Sequence, residues 1–340
     1  MSNGEFDFGG GAAERKPRKT PPVSVAPAAA GAPVASSAPP AAGAPAAPAT
    51  PLSAAQRSTT PAAGAPIAGA APSGVNGPAA ASAESLDAAA IAQAQANARK
   101  LVAASAGIGV HVAALDWQAI ADELNAHGHA IVPGMLTADE CVALAAQYAQ
   151  PQLYRSRVVM AQHGFGSGEY QYFRYPLPAM ISALRQSLYG PLAAIANHWH
   201  EVMGMEARFP ADHAEFLARC HAAGQTRPTP LMLQYGPGDY NCLHQDLYGD
   251  HVFPLQAAIL LSEPGTDFEG GEFVLTEQRP RMQSRVEVVP LKRGDMVIFP
   301  VNHRPAQGAR GVYRVAMRHG VSRLRSGSRH TLGMIFHDAN

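Results

Sequence analysis

From Leu231 onward the chain reads as a succession of short apolar segments, "LMLQY", "PLQAAILLS", "GEFVLT", "RVEVVPL", "DMVIFP", "VYRVAMRHGVS" and "HTLGMIF", separated by Gly, Pro, Asp and Asn. Short β-type runs between turn residues specify a sandwich or barrel. The chain before them is patterned differently. "AMISALRQSLYGPLAAIANHWHEVMG" repeats its apolar residues at helical spacing. "DWQAIADELNAHGHAIVPGMLTADECVALAAQYAQ" reads as helix, strand, helix: Asp116 caps the first helix, Gly128 ends it, "HAIVP" is a strand and Thr137 caps the second helix. Helices followed by a β core predict an α+β fold, with N-terminal helices bracing one face of a jelly roll.

The 340 residues would by length suggest two domains, but composition argues otherwise. Residues 1–107 are dominated by Ala, Pro, Gly and Ser, which offer too little large apolar surface to offset the entropy of ordering. A disordered tail is expected there, carrying "ERKPRK" (Glu14 to Lys19) as a solvated charge run, with a helix over Ser82 to Ser105 leading into the folded part. Residues 108–340 are expected to form one globular domain. No basic start followed by an apolar run marks a secretory signal, and no apolar stretch suggests a membrane span. Cys141, Cys220 and Cys242 are too scattered for a disulfide framework or zinc knuckle, so a cytoplasmic, reducing setting is expected.

Chemistry concentrates in "QYGPGDYNCLHQDLYGDH" (Gln234 to His251), where His244 and Asp246 stand two apart. On an extended segment such residues face the same side, so an imidazole and a carboxylate meet at one point. A metal centre of the two-histidine, one-carboxylate type needs a third ligand, for which His251, His303, His319, His330 and His337 are candidates. After His319 comes "RHGVSRLRSGSRHTLGMIFHDA", which places Gly327, Arg329 and Thr331 so that His319 and Arg329 can face one barrel interior. The planar guanidinium of Arg329 suits a carboxylate and keeps its charge when buried. His303 with Arg314 is the competing arrangement, but it lacks the glycine turn.

The combination His244-x-Asp246, His319 and "G-x-R-x-T" resembles the Fe(II)- and 2-oxoglutarate-dependent dioxygenases on a double-stranded β-helix, over about Trp117 to His337. "LQYGPGDYNCLHQD" resembles the prolyl-hydroxylase-like approach to the first ligand, and "LKRGDMVIFP" the strand before the distal histidine. The resemblance implies His244, Asp246 and His319 as iron ligands, and Arg329, assisted by Thr331, as the anchor of the distal carboxylate of 2-oxoglutarate. Tyr235 would stand in the cosubstrate pocket. The implied cofactors are Fe(II), 2-oxoglutarate and O2, with succinate and CO2 as coproducts. The insert "VNHRPAQGARGVYRVAMR" before His319 is longer than is usual in the family, and is expected to be a basic hairpin or loop beside the active-site mouth.

From Arg279 onward twelve Lys and Arg face three Asp and Glu. Arg304, Arg310, Arg314, Arg318, Arg323 and Arg325 could contact phosphates, and Phe165, Tyr170, Tyr172 and Phe173 in a glycine-rich stretch could stack on bases. The chain also resembles a bacterial group of these dioxygenases predicted to act on alkylated DNA. The expected activity is oxidative dealkylation of single-stranded or damaged nucleic acid. Hydroxylation of a protein side chain or small metabolite is the alternative, and a non-catalytic jelly-roll binding module is the alternative of another class.

Overall fold

The computed structural model describes residues 83–340, with side chains from 88 onward. The expected disordered tail and its "ERKPRK" run therefore lie outside the described residues, except where the tail overlaps the first helix. In chain order the elements are α1 (Ala83–Ala113), α2 (Trp117–His127), β1 (Ala130–Val132), α3 (Ala138–Ala145), β2 (Tyr154–Val159), β3 (Gly166–Ser167), β4 (Glu169–Phe173), α4 (Ala179–Val202) and α5 (His213–Ala222). The β-rich half follows as β5 (Leu231–Tyr235), β6 (Tyr240–His244), β7 (Leu255–Leu260), β8 (Phe268–Gly270), β9 (Phe273–Gln278), β10 (Arg285–Val289), β11 (Met296–Pro300), β12 (His303–Gly308), β13 (Gly311–Val321), β14 (Leu324–Gly327) and β15 (Arg329–Met334).

The helix caps are those read from the sequence. Asp116 accepts a hydrogen bond from the Ala119 N–H, Gly128 closes α2 at φ 80°, and Thr137 with Glu140 forms a reciprocal capping box on α3. The helical run expected at Ser82 extends to Ala113, so the domain boundary placed at residue 107 falls inside α1. That helix lies against α3 and α4, burying Leu101, Ile108 and Val112 while Ile91, Val102 and Val110 stay exposed. Its alanines look like tail composition but allow close approach of neighbouring backbones. α5 has no counterpart in the sequence reading. Asp212 caps it, and it turns His213, Phe216 and Cys220 inward at helical spacing.

All seven β segments are strands. They form a seven-stranded sheet in the order β1-β11-β7-β15-β5-β4-β2 and a second sheet in the order β10-β9-β13-β6-β3, with β12 paired to β13. Residues from both, including Tyr235, Leu260 and Phe299 from the first and Phe273, Leu275, Val315 and Met317 from the second, share one buried cluster between them. This is the expected jelly roll of antiparallel strands. β15 is central in the first sheet, pairing with β5 on one side and β7 on the other, and β13 is central in the second.

The insert before His319 is a β12–β13 hairpin, one of the two expected forms; none of its residues lines the cavity that holds His244 and Asp246, but Asn302 and Met317 accept from Gln245 on the cavity wall. It leans on the helices: Arg304 donates to the Asn125 carbonyl on α2, and Arg314 to the Met203 carbonyl beyond α4. The expectation that Arg304 contacts phosphate is also overturned. It is 2% exposed and bound to the buried carboxylate of Glu277 on β9, which Arg279 and Arg285 also approach. Part of the basic stretch thus neutralises one interior acid. Arg293 is likewise spent on Glu263 and Asp267, and Arg325 lies 3.9 Å from Glu272.

Two interior histidines make stability sensitive to acid. His213 donates from Nε2 to the Phe336 carbonyl, while His337 accepts at Nδ1 from the Phe253 N–H; burial pushes each down to about 4. The unfolded chain binds these protons first, so their contribution is complete above pH 6.5 and is lost as pH falls toward 4. Each group changes stability by up to about 1.4 kcal/mol per pH unit across that window. Urea denaturation from pH 7.5 to 4 should show the midpoint falling steadily below pH 6.5, and a flat profile would contradict this reading.

Candidate metal and cosubstrate site

Hydrogen-bonded register brings the distant ligand candidates together. β13 and β6 are antiparallel neighbours with His319 directly opposite His244, and the ladder is irregular between His319 and Val321. The two imidazole centroids are 4.2 Å apart. Asp246, just beyond the end of β6, places Oδ1 3.5 Å from His244 Nε2 and Oδ2 3.3 Å from His319 Nε2. One ligand-capable atom from each of the three residues lies within 4.8 Å of the others. Gly320 makes the close approach of the strands possible, because a Cβ there would stand 2.7 Å from the Asn241 carbonyl oxygen.

The protonation pattern suits a cation. His244 Nδ1 donates to the Cys242 carbonyl at 2.8 Å, which leaves Nε2 as the ring atom that faces the carboxylate and would meet a metal. For Asp246 burial opposes ionisation, but hydrogen bonds from His244 and His319 outweigh it and hold the carboxyl well below its usual range. Burial, then the charge of His244, pushes His319 down, while His244, which burial also disfavours as a cation, is raised by its bond to Asp246. A metal bound here needs the imidazole nitrogens unprotonated and the carboxylate ionised, so its binding would release any proton these facing atoms hold. His319 is walled by Phe299 and Phe273, at centroid distances of 4.8 and 6.2 Å.

Arg329 enters the same cavity from β15. It pairs in register with Tyr235, and alternation along the strand sends Arg329 and Thr331 inward and His330 away, toward Tyr148. The guanidinium is 2% exposed, donates from Nη1 to Thr331 Oγ1 at 2.6 Å, and lies 5.6 Å from the Tyr235 ring centroid and 5.8 Å from that of Phe268. Its Nε and the Tyr235 hydroxyl have no hydrogen-bond partner, and burial lowers the guanidinium to about 10. No carboxylate among the described residues lies within 4.0 Å of it. A buried cation with unspent donors is a receptor for an anion. The turn expected before it is present, with Gly327 at φ 82° where a Cβ would meet the Asp267 carbonyl oxygen at 2.0 Å.

The cavity has a volume of about 360 Å³ and contains His244, Asp246, His319, Arg329, Thr331 and Tyr235. His303 sits on β12 opposite Ala316 and lines none of it, whereas His319 does. His337 is held by Phe253 in the core, and His251 is on an exposed loop. The glycine-aromatic stretch is part hairpin and part loop. β2 and β4 make a hairpin that buries Tyr172 and Phe173, while the loop between them carries exposed Phe165 to the cavity rim, stacked on His163. Sequence reasoning missed Tyr248, whose hydroxyl donates to Asp246 Oδ1 at 2.8 Å, and Gln256, whose amide lies 3.3 Å from His319 Nε2. A lone Gln inside the otherwise apolar "LQAAIL" strand was the available signal for the second.

Residues 168–339 match the model of a family described as oxygenases catalysing oxidative methylation of damaged DNA. A protein of Mycobacterium tuberculosis strain H37Rv is 52% identical over 167 residues, covering 49% of this chain and 72% of its own length. Among solved structures, a Pseudomonas putida prolyl-4-hydroxylase aligns at 17% identity and TM-score 0.39, covering 64% of this chain and 96% of that one. A Burkholderia pseudomallei oxidoreductase of the 2OG-Fe(II) oxygenase family aligns at 17% and 0.38, covering 66% and 93%.

Proposed function

Because the chain belongs to the family of oxygenases that act on damaged DNA, we propose that it uses Fe(II) and 2-oxoglutarate to remove alkyl groups oxidatively from single-stranded or damaged nucleic acid. The observation that carries this reading is the meeting of His244, Asp246 and His319 in one cavity with a buried arginine that, among the described residues, has no carboxylate within 4.0 Å. A binding module would have no use for that arginine, which costs stability unless an anion reaches it. His244, Asp246 and His319 would hold the iron, and Arg329 with Thr331 the distal carboxylate of the keto acid, beside Tyr235. The bound ferrous ion would supply O2 activation coupled to conversion of 2-oxoglutarate to succinate and CO2.

The remaining walls bind, orient and exclude water. Phe273 and Phe299 keep solvent from His319, so that charge inside the cavity is poorly screened. At the rim, the exposed Phe165 and Leu243 offer flat or apolar contact to an unstacked base. Hydroxylation of an N-alkyl carbon gives an N-hydroxyalkyl group whose C–N bond breaks, releasing an aldehyde and the repaired base.

The test is incubation of the full chain with Fe(II), 2-oxoglutarate and methylated single-stranded oligonucleotides, read by mass spectrometry. The expected result is succinate together with loss of the alkyl mass; succinate without change in any oligonucleotide would refute the nucleic-acid substrate. Phe165→Ala should weaken oligonucleotide binding by about 1–3 kcal/mol, and unchanged affinity would remove Phe165 from the substrate face. A protein or metabolite substrate is the second reading, favoured by the internal pairing of Arg279, Arg285 and Arg304. It would show as oligonucleotide binding indifferent to salt, where phosphate tracking demands a steep dependence.

A further inference from the structure

Asp246 is gripped by a group outside the three metal-facing residues. Tyr248 donates to its Oδ1 at 2.8 Å, and Tyr172, buried on β4, donates to the Tyr248 hydroxyl at 3.3 Å. The loop bearing Tyr248 is fixed in turn. Gln225, fully buried, donates from Nε2 to the carbonyls of Tyr248, His251 and Asp338, and accepts at Oε1 from the His251 N–H. Gly249 has φ 75° beneath this amide, and a Cβ there would stand 2.4 Å from Gln225 Cδ. The Tyr248 hydroxyl is thus held from the backbone side by Gln225 and from the hydroxyl side by Tyr172.

This arrangement treats the two carboxylate oxygens unequally. Oδ1 accepts from Tyr248 at 2.8 Å and also lies 3.5 Å from His244 Nε2, while Oδ2 faces His319 Nε2 at 3.3 Å with no hydroxyl tied to it. We propose that Tyr248 is a positioning residue that ties down one oxygen of Asp246, so that Asp246 offers the metal a single ligand atom and leaves the remaining positions to cosubstrate and O2. The inference rests on the assignment of His244, Asp246 and His319 as the metal ligands. Without the Tyr248 hydroxyl Oδ1 loses the donor that fixes it from outside the metal-facing side, and both the affinity and the coordination of the metal change.

The test is titration of Mn(II) into the full chain and its Tyr248→Phe and Tyr172→Phe variants, with the melting temperature of each metal-free chain and the visible absorption of each Co(II)-loaded chain. Tyr248→Phe should bind Mn(II) about 10- to 100-fold more weakly, alter the Co(II) spectrum and keep the metal-free melting temperature of wild type. Tyr172→Phe should show a smaller loss of the same kind. A Tyr248→Phe chain that binds Mn(II) as tightly as wild type with the same Co(II) spectrum overturns the proposal. If that variant does not fold, Tyr172→Phe decides: weakened Mn(II) binding supports the role, and unchanged binding overturns it. Wild-type protein that binds no Mn(II) overturns the ligand assignment itself, and the proposal with it.

Discussion

Replacing His319 with alanine should abolish Fe(II) binding and all 2-oxoglutarate turnover, while His303→Ala leaves both intact. The magnitude follows from comparison: loss of an outer partner to a metal ligand costs about 10- to 100-fold in affinity, so loss of a ligand must exceed that. The geometry makes the two histidines unequal. His319 lies opposite His244 and 3.3 Å from Asp246, whereas His303 pairs with Ala316 on a hairpin that leans on α2 and α4. Metal titration and succinate release on both variants check the prediction. Loss of metal on His303→Ala with retention on His319→Ala would reverse the assignment.

The second large effect is at Arg329, where binding and stability should move in opposite directions. Arg329 is fully enclosed, and burial brings the guanidinium from 12.5 to about 10. Holding that charge costs the free protein on the order of 3 kcal/mol, the equivalent of such a shift. Arg329→Met should therefore raise the melting temperature of the free chain. The same change should weaken 2-oxoglutarate by about 2–5 kcal/mol, the range for truncating one side of a buried charged contact. Arg329→Lys retains charge but loses the planar fork above Tyr235, and should fall between the two. Calorimetric titration with 2-oxoglutarate and thermal melts of the three chains check this. A variant that is less stable and still binds the keto acid would assign Arg329 a structural role.

The residues that proved legible in the sequence are those whose neighbours are fixed by local periodicity. The two-residue step of an extended chain put His244 beside Asp246, and the same step put Arg329 beside Thr331. Capping chemistry placed Asp116, Gly128 and Thr137 correctly because each acts within four residues of itself. Pairing at long range was less accessible. Arg304 reads as a surface cation until β9 is folded against its hairpin, when Glu277, 27 residues away in sequence, turns out to be its partner. Tyr248 is also two residues from Asp246, but its role depends on Gln225 and Tyr172, which arrive from the other end of the helical layer and from β4. The packing of α1 was hidden for a different reason. Alanine-rich sequence lacks the bulk that signals a core, yet α1 packs through Leu101, Ile108 and Val112 once α4 supplies the opposing surface.

The central claim is that His244, Asp246 and His319 hold one metal ion while Arg329 holds the cosubstrate. Anomalous diffraction from crystals grown with Mn(II) and 2-oxoglutarate tests it most directly. The predicted result is a single Mn(II) peak bounded by His244 Nε2, Asp246 Oδ2 and His319 Nε2, with a keto-acid carboxylate on the Arg329 guanidinium. A peak at His303, or ordered 2-oxoglutarate that makes no contact with Arg329, would contradict the account.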